Sequence, residues 1–128
     1  MRSMLTITAI LLFSGSAFAA NLTGAVLACE FSDNLFSYRD VISFRSEGEA
    51  RYESLIAEKD SGLFNGFCWA DFVKVDASPK GLVLEGKVDC ATGLDVPFTK
   101  SVNLVTLKTS NSWHGEYSCK WEKPGAAE

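Results

Sequence analysis

Histidine is nearly missing from this chain: 128 residues contain one, His114. No second residue can supply an imidazole, so the only Ser/His/carboxylate grouping to weigh is His114, Glu116 and Ser118, alternate residues of one strand-like segment. At about 3.3 to 3.4 Å per residue, Ser118 and His114 stand roughly 13 Å apart with parallel side chains. A nucleophile and its base need hydrogen-bond reach, so this grouping reads as a solvated polar face. Also lacking is any C-x-x-C pair: Cys29, Cys68, Cys90 and Cys119 are separated by 39, 22 and 29 residues, which argues against a zinc knuckle or a thioredoxin-like site. There is no excess of basic residues, 12 against 16 acidic, and hence no cationic stripe to displace counterions from nucleic acid phosphates. Nowhere does an apolar i, i+3, i+4, i+7 pattern persist for three turns, and no internal repeat or low-complexity segment is visible.

Long apolar runs are also scarce, and the main one lies at the start. Arg2, the stretch Met4 to Phe13 and then Ser14-Gly15-Ser16-Ala17-Phe18-Ala19 form a charged start, a short apolar centre and a small-x-small ending. That is the pattern of a secretory signal cleaved after Ala19, and the run is too short to span a bilayer. The expected organisation is a signal peptide over 1–19, a single β domain over 20–122 and a flexible tail over 123–128. Cleavage removes Arg2, leaving 11 basic and 16 acidic residues and a formal charge of −5. Export to the periplasm or the secreted space turns the four cysteines into two expected disulfides, among three possible pairings. A competing reading takes Val26-Leu27-Ala28-Cys29 as a lipoprotein cleavage site with Cys29 lipidated. Polar Asn21 and Thr23 separate that site from the apolar run, and lipidation would leave an odd cysteine.

Period-two alternation dominates the remainder, predicting a mainly β fold: a small antiparallel meander, barrel or sandwich, of about seven or eight strands, disulfide-linked. Expected strands run over 22–31, 40–45, 50–57, 67–75, 82–90, 94–99, 101–108 and 112–122, and Gly48 centres a hairpin connection between the second and third. On the first, Ala25, Leu27, Cys29 and Phe31 share a face. On the fourth, Phe67, Trp69, Val73 and Val75 share one that Asp71 interrupts. On the fifth, Leu82, Leu84, Val88 and Cys90 point in while Glu85, Lys87 and Asp89 point out. If the last strand closes beside the first, Cys29–Cys119 is a natural staple, and Cys68–Cys90 would link the strands around the Pro79 turn. Pairing Val75 with Leu82 puts Cys68 opposite Asp89, so that second bridge requires a β-bulge.

Three functional readings come from different classes. Ser32 to Tyr38 and Glu58 to Gly66 each embed a Leu-Phe pair in polar surroundings. The leading expectation is an exported protein-binding module that uses Phe36, Tyr38, Leu63 and Phe64 as anchors, with Asp33 and Asp60 steering a cationic partner such as a hydrolase. Small exported inhibitors of lysozyme are an analogy in size, export and disulfide linkage. The second reading is a carrier of a lipid, sugar or other small molecule, its barrel lined by Trp69, Trp113, Tyr117 and Trp121. The third is a hydrolase using Asp71 as a core-facing acid, against which stands a plainer role for Asp71, at a bulge and paired with Arg51. No cofactor and no metal site is expected.

Overall fold

The computed structural model describes residues 22–46, 48–90, 95–111 and 115–125. The expected leader over 1–19, Trp113, His114 and the last residues of the expected tail lie outside the described residues. Eight strands follow in order: β1 (Val26–Ser32), β2 (Phe36–Ser46), β3 (Glu49–Glu58), β4 (Asn65–Ser78), β5 (Gly81–Asp89), β6 (Asp95–Asn103), β7 (Lys108–Asn111) and β8 (Gly115–Lys123). Each pairs antiparallel with the next, and β8 returns to β1, so the sheet closes on itself as an up-and-down barrel rather than splitting into a sandwich. The β6–β7 seam is the shortest of the barrel, with only Val102 and Asn103 of β6 paired to Thr109 and Lys108 among the described residues.

Alternation decides which side chains fill the interior. Leu27 and Cys29 on β1, Ile42 and Phe44 on β2, and Leu82 and Leu84 on β5 are all buried, while Glu30, Arg45 and Glu85 between or beside them face solvent. Outward positions carry charge along the strands, with Arg39 between Glu30 and Glu122, and Arg51 between Glu53 and Asp71. That is not the apolar belt of a lipid-facing barrel. Among the described residues, no helix is long and apolar enough to cross a membrane.

The tight connections have local causes. Ser78 Oγ accepts from the backbone N–H groups of Lys80 and Gly81, turning the chain at Pro79 and Lys80 so that Ser78 pairs with Gly81. Gly48, at φ 74°, provides the left-handed residue of the β2–β3 connection.

Both disulfides form, Cys29–Cys119 and Cys68–Cys90. The expected Val75–Leu82 pairing is two residues out of register, because the tight Ser78–Gly81 turn sets Val75 opposite Leu84. The required bulge is present nonetheless. Pairing shifts by one between Trp69↔Asp89 and Lys74↔Glu85, and inside–outside alternation on β4 changes phase at Asp71 and Phe72, which are both exposed. Below the shift Val73, Val75 and Ala77 are buried; above it Cys68 and Ala70 are. The single extra residue brings Cys68 to Cys90.

Two expectations fail here. Trp69 does not share a face with Val73, because the bulge lies between them, and Phe67, the extra residue of a second register shift between Ser54 and Leu55, borders the cavity beside Cys68. The separate strands expected over 94–99 and 101–108 are instead one strand, β6, followed by a turn over 104–107 and the short β7. Asn103 Oδ1 accepts from the N–H groups of Val105 and Thr106 at 2.8 and 3.0 Å, and Leu107 adopts φ 56°, which together stop the strand.

Candidate functional site in the barrel interior

The barrel has two unlike halves. Toward the Gly48 and Pro79 connections it is filled by Leu27, Ile42, Val73, Leu82 and Leu84, each at most 1% exposed. Toward the connections over 33–35 and 59–64 it holds an open-mouthed cavity of about 850 Å³. Its walls include the rings of Phe31, Tyr38, Tyr52, Phe67, Phe98 and Tyr117, and both disulfides contribute to its lining. Tyr52 and Phe98 face one another with ring centres 4.4 Å apart.

The cavity floor is polar. Asp40 lies one pleat before Ile42 on β2, and Lys100 one pleat before Val102 on β6, so each continues an inward-facing row of apolar side chains. In an eight-strand meander β2 and β6 are four strands apart, on opposite walls. Lys100 reaches across, its Nζ 3.2 Å from Asp40 Oδ2, with the two side chains only 6% and 10% exposed. Tyr117 on β8 knits the pair together: its hydroxyl accepts from Lys100 Nζ at 2.7 Å and donates to Asp40 Oδ2 at 2.7 Å. From β3, the buried Tyr52 ring projects into the same cluster, where the Asp40 carboxylate and the Ser54 hydroxyl act on its phenol. Burial first, and the Asp40 carboxylate second, push the Tyr52 phenol far above its usual range, so it is a neutral donor at any physiological pH.

Asp40 also belongs to a continuous row of register partners. Cys119 pairs with Cys29, Cys29 with Asp40, Asp40 with Ser54, and Ser54 with Cys68. One disulfide lies along that row and the other starts from its end. The covalent links therefore clamp the wall segments that hold the buried ion pair.

The two loops singled out by sequence lie side by side at the cavity end of the barrel, tied by a hydrogen bond from Lys59 N–H to the Leu35 carbonyl. Leu35 and Leu63 are 70% and 76% exposed. Phe36 and Phe64 are half-buried, and Tyr38 belongs to the cavity wall. Asp33 is occupied within its own loop, where Oδ1 accepts from the N–H groups of Leu35 and Phe36 at 2.8 Å each and Oδ2 from the Tyr38 hydroxyl at 3.3 Å. Burial, and then the Asp33 carboxylate, raise the Tyr38 phenol above its usual range. Asp60 is exposed, at φ 66°.

Other expectations divide. Of the aromatic residues expected to line a cavity, Tyr117 does. Trp69 belongs to the outward row of β4, Trp121 is exposed near the end of β8 with its ring beside Phe44, and Trp113 lies outside the described residues. Asp71 does not face the core. Its side chain is 63% exposed at the bulge and accepts from Arg51 Nε at 3.4 Å, the plainer of its two expected roles. Cys29 is bonded to Cys119 in mid-strand, so its sulfur carries no lipid.

Asp40, Lys100 and Tyr52 were not singled out by the sequence reading. The available signal was parity: a charged residue in phase with Ile42 and Phe44, and another in phase with Phe98 and Val102. Lys100 fell between two wrongly separated strands, and that hid its phase.

This site defines a disulfide-linked, closed eight-stranded meander barrel with an aromatic cavity and a buried Asp–Lys–Tyr cluster. The chain matches no protein-family profile, no curated protein sequence and no solved structure.

Proposed function

We propose that this is an exported small-molecule-binding protein whose ligand sits inside the barrel. The observation carrying this reading is the cavity of about 850 Å³, within the range of roughly 300 to 1,000 Å³ typical of ligand pockets. A barrel of eight strands has an interior that side chains can just fill, or that holds one small ligand. Here one half is filled and the other is not. Walls rich in aromatic side chains with a few convergent polar groups are the make-up expected of such a pocket. Two disulfides fit an oxidising compartment, and the leader pattern of the first nineteen residues points to the periplasm or the secreted space. Native mass spectrometry of the unreduced protein, freshly purified from its source, is expected to show one bound small molecule that is lost on denaturation. Repeated spectra at the bare chain mass would count against it.

A second reading keeps the protein-binding role, favoured by the exposure of Leu35 and Leu63 on adjoining loops. Leucines in this setting suit contact with another exported protein, including a cationic hydrolase. Capture of a partner that persists after Leu35→Ser with Leu63→Ser would remove these loops from that role.

A further inference from the structure

Building on the small-molecule reading, we infer that the cavity selects an uncharged ligand with an aromatic or similarly flat apolar body and one carbonyl oxygen, which Lys100 receives. Donors, acceptors and charge on the cavity floor decide what can bind there. Tyr117 has one hydroxyl proton, and it is committed to Asp40; the neutral Tyr52 phenol lies under the influence of the same carboxylate. Asp40 also faces the Lys100 ammonium at 3.2 Å, so its carboxylate is already well supplied with donors. Lys100 differs. An ammonium has three N–H donors and no acceptor; Tyr117 Oη accepts one, and the Asp40 carboxylate, at ion-pair distance, faces at most one other. One donor remains, on a side chain that lines the cavity and is almost wholly removed from bulk water.

Charge narrows the ligand further. Asp40 and Lys100 neutralise one another, so a carboxylate or ammonium brought against these two buried side chains would add an uncompensated charge, which is costly. A neutral carbonyl satisfies the remaining N–H without adding charge. Hydrogen bonds to a charged donor are among the stronger ones. The walls supply the rest: Phe31, Phe98 and Tyr52 present ring faces and edges to a flat body.

An isosteric series tests this, read by displacement of the neutral fluorophore N-phenyl-1-naphthylamine: 2-acetylnaphthalene, 2-ethylnaphthalene, 2-naphthoate and 2-naphthylmethylamine. The ketone is expected to bind about tenfold more tightly than the hydrocarbon, from one charge-assisted hydrogen bond, and both charged members to bind more weakly than the ketone. In the double variant Asp40→Asn with Lys100→Met, which removes both charges together so that neither is stranded, the ketone-to-hydrocarbon ratio is expected to fall to about one while the hydrocarbon still binds. Equal binding of ketone and hydrocarbon to the unmodified protein would overturn the carbonyl assignment and leave the carrier reading standing. Tightest binding of the carboxylate or the amine would overturn it as well. Failure of the fluorophore and of all four compounds to bind would instead bring down the carrier reading itself.

Discussion

Asp40 and Lys100 meet at 3.2 Å across the inside of the barrel, from strands on opposite walls, with Tyr117 bonded to both. A buried pair of this kind is weak evidence for stability but a sensitive point for damage, because removing one partner leaves the other charge desolvated and uncompensated. Lys100→Met alone is therefore expected to destabilise the protein by about 3 to 5 kcal/mol, whereas Asp40→Asn with Lys100→Met is expected to cost far less. Urea denaturation of the two variants compares them directly. An equal loss in both would mean that the pair, not the stranded charge, carries the energy.

Tyr52 sets an alkaline limit. Its folded pKa lies above the unfolded value of about 10, so the stabilisation linked to its proton is complete below pH 10 and is lost as pH rises beyond it. Stability is expected to fall by up to about 1.4 kcal/mol per pH unit above 10 through this group. In Tyr52→Phe that component is absent, and denaturation midpoints measured between pH 9 and pH 11 should decline less steeply than in the unmodified protein. Identical slopes would show that Tyr52 ionises as freely in the fold as out of it.

The two disulfides should be unequal. Cys29–Cys119 spans 90 residues and Cys68–Cys90 spans 22; loop-closure entropy alone assigns them about 4 to 5 and about 3 kcal/mol respectively. Alanine replacement of each pair, followed by thermal unfolding, checks the order. Because both bridges hold the row containing Asp40, their joint reduction is also expected to abolish fluorophore binding.

Gly86 is inward-facing on β5, where the β4 bulge pushes the facing chain close. A methyl group there would lie 2.9 Å from Val73 Cγ1 and 3.3 Å from the Phe72 carbonyl. Gly86→Ala is expected to cost about 1 to 3 kcal/mol by overpacking, measurable by denaturant titration, and to perturb the Trp69–Lys74 bulge. A neutral outcome would mean that β4 can relax around the added carbon.

Much of the fold was legible because half-buried strands alternate. Leu82 to Cys90 reads inside–outside without error, and Asp71, the one carboxylate breaking an apolar stripe, marked the bulge that lets Cys68 reach Cys90. What failed depends on groups remote in sequence or on side-chain chemistry within turns. The Asn103 side chain stops β6, and no period-two pattern announces that among Val102, Leu104 and Val105. The site was largely illegible for the same reason. Asp40 and Lys100 each look like an ordinary charged strand residue until barrel closure sets β2 across from β6, and Tyr52 acquires its role only through Asp40. The Leu-Phe loops stood out because apolar residues in polar loops are a local signal, and the fold sets those loops side by side at the cavity end of the barrel.

Whether the ligand enters the barrel is best tested by chemical-shift mapping on uniformly ¹⁵N-labelled, fully oxidised protein titrated with 2-acetylnaphthalene. Shifts are predicted at Phe31, Asp40, Tyr52, Phe98, Lys100 and Tyr117, with Leu27, Leu82 and Leu84 in the filled half and Arg51 and Glu85 on the outer wall unmoved. Shifts confined to Leu35, Leu63 and their neighbours, or none at saturating ligand, would contradict the account.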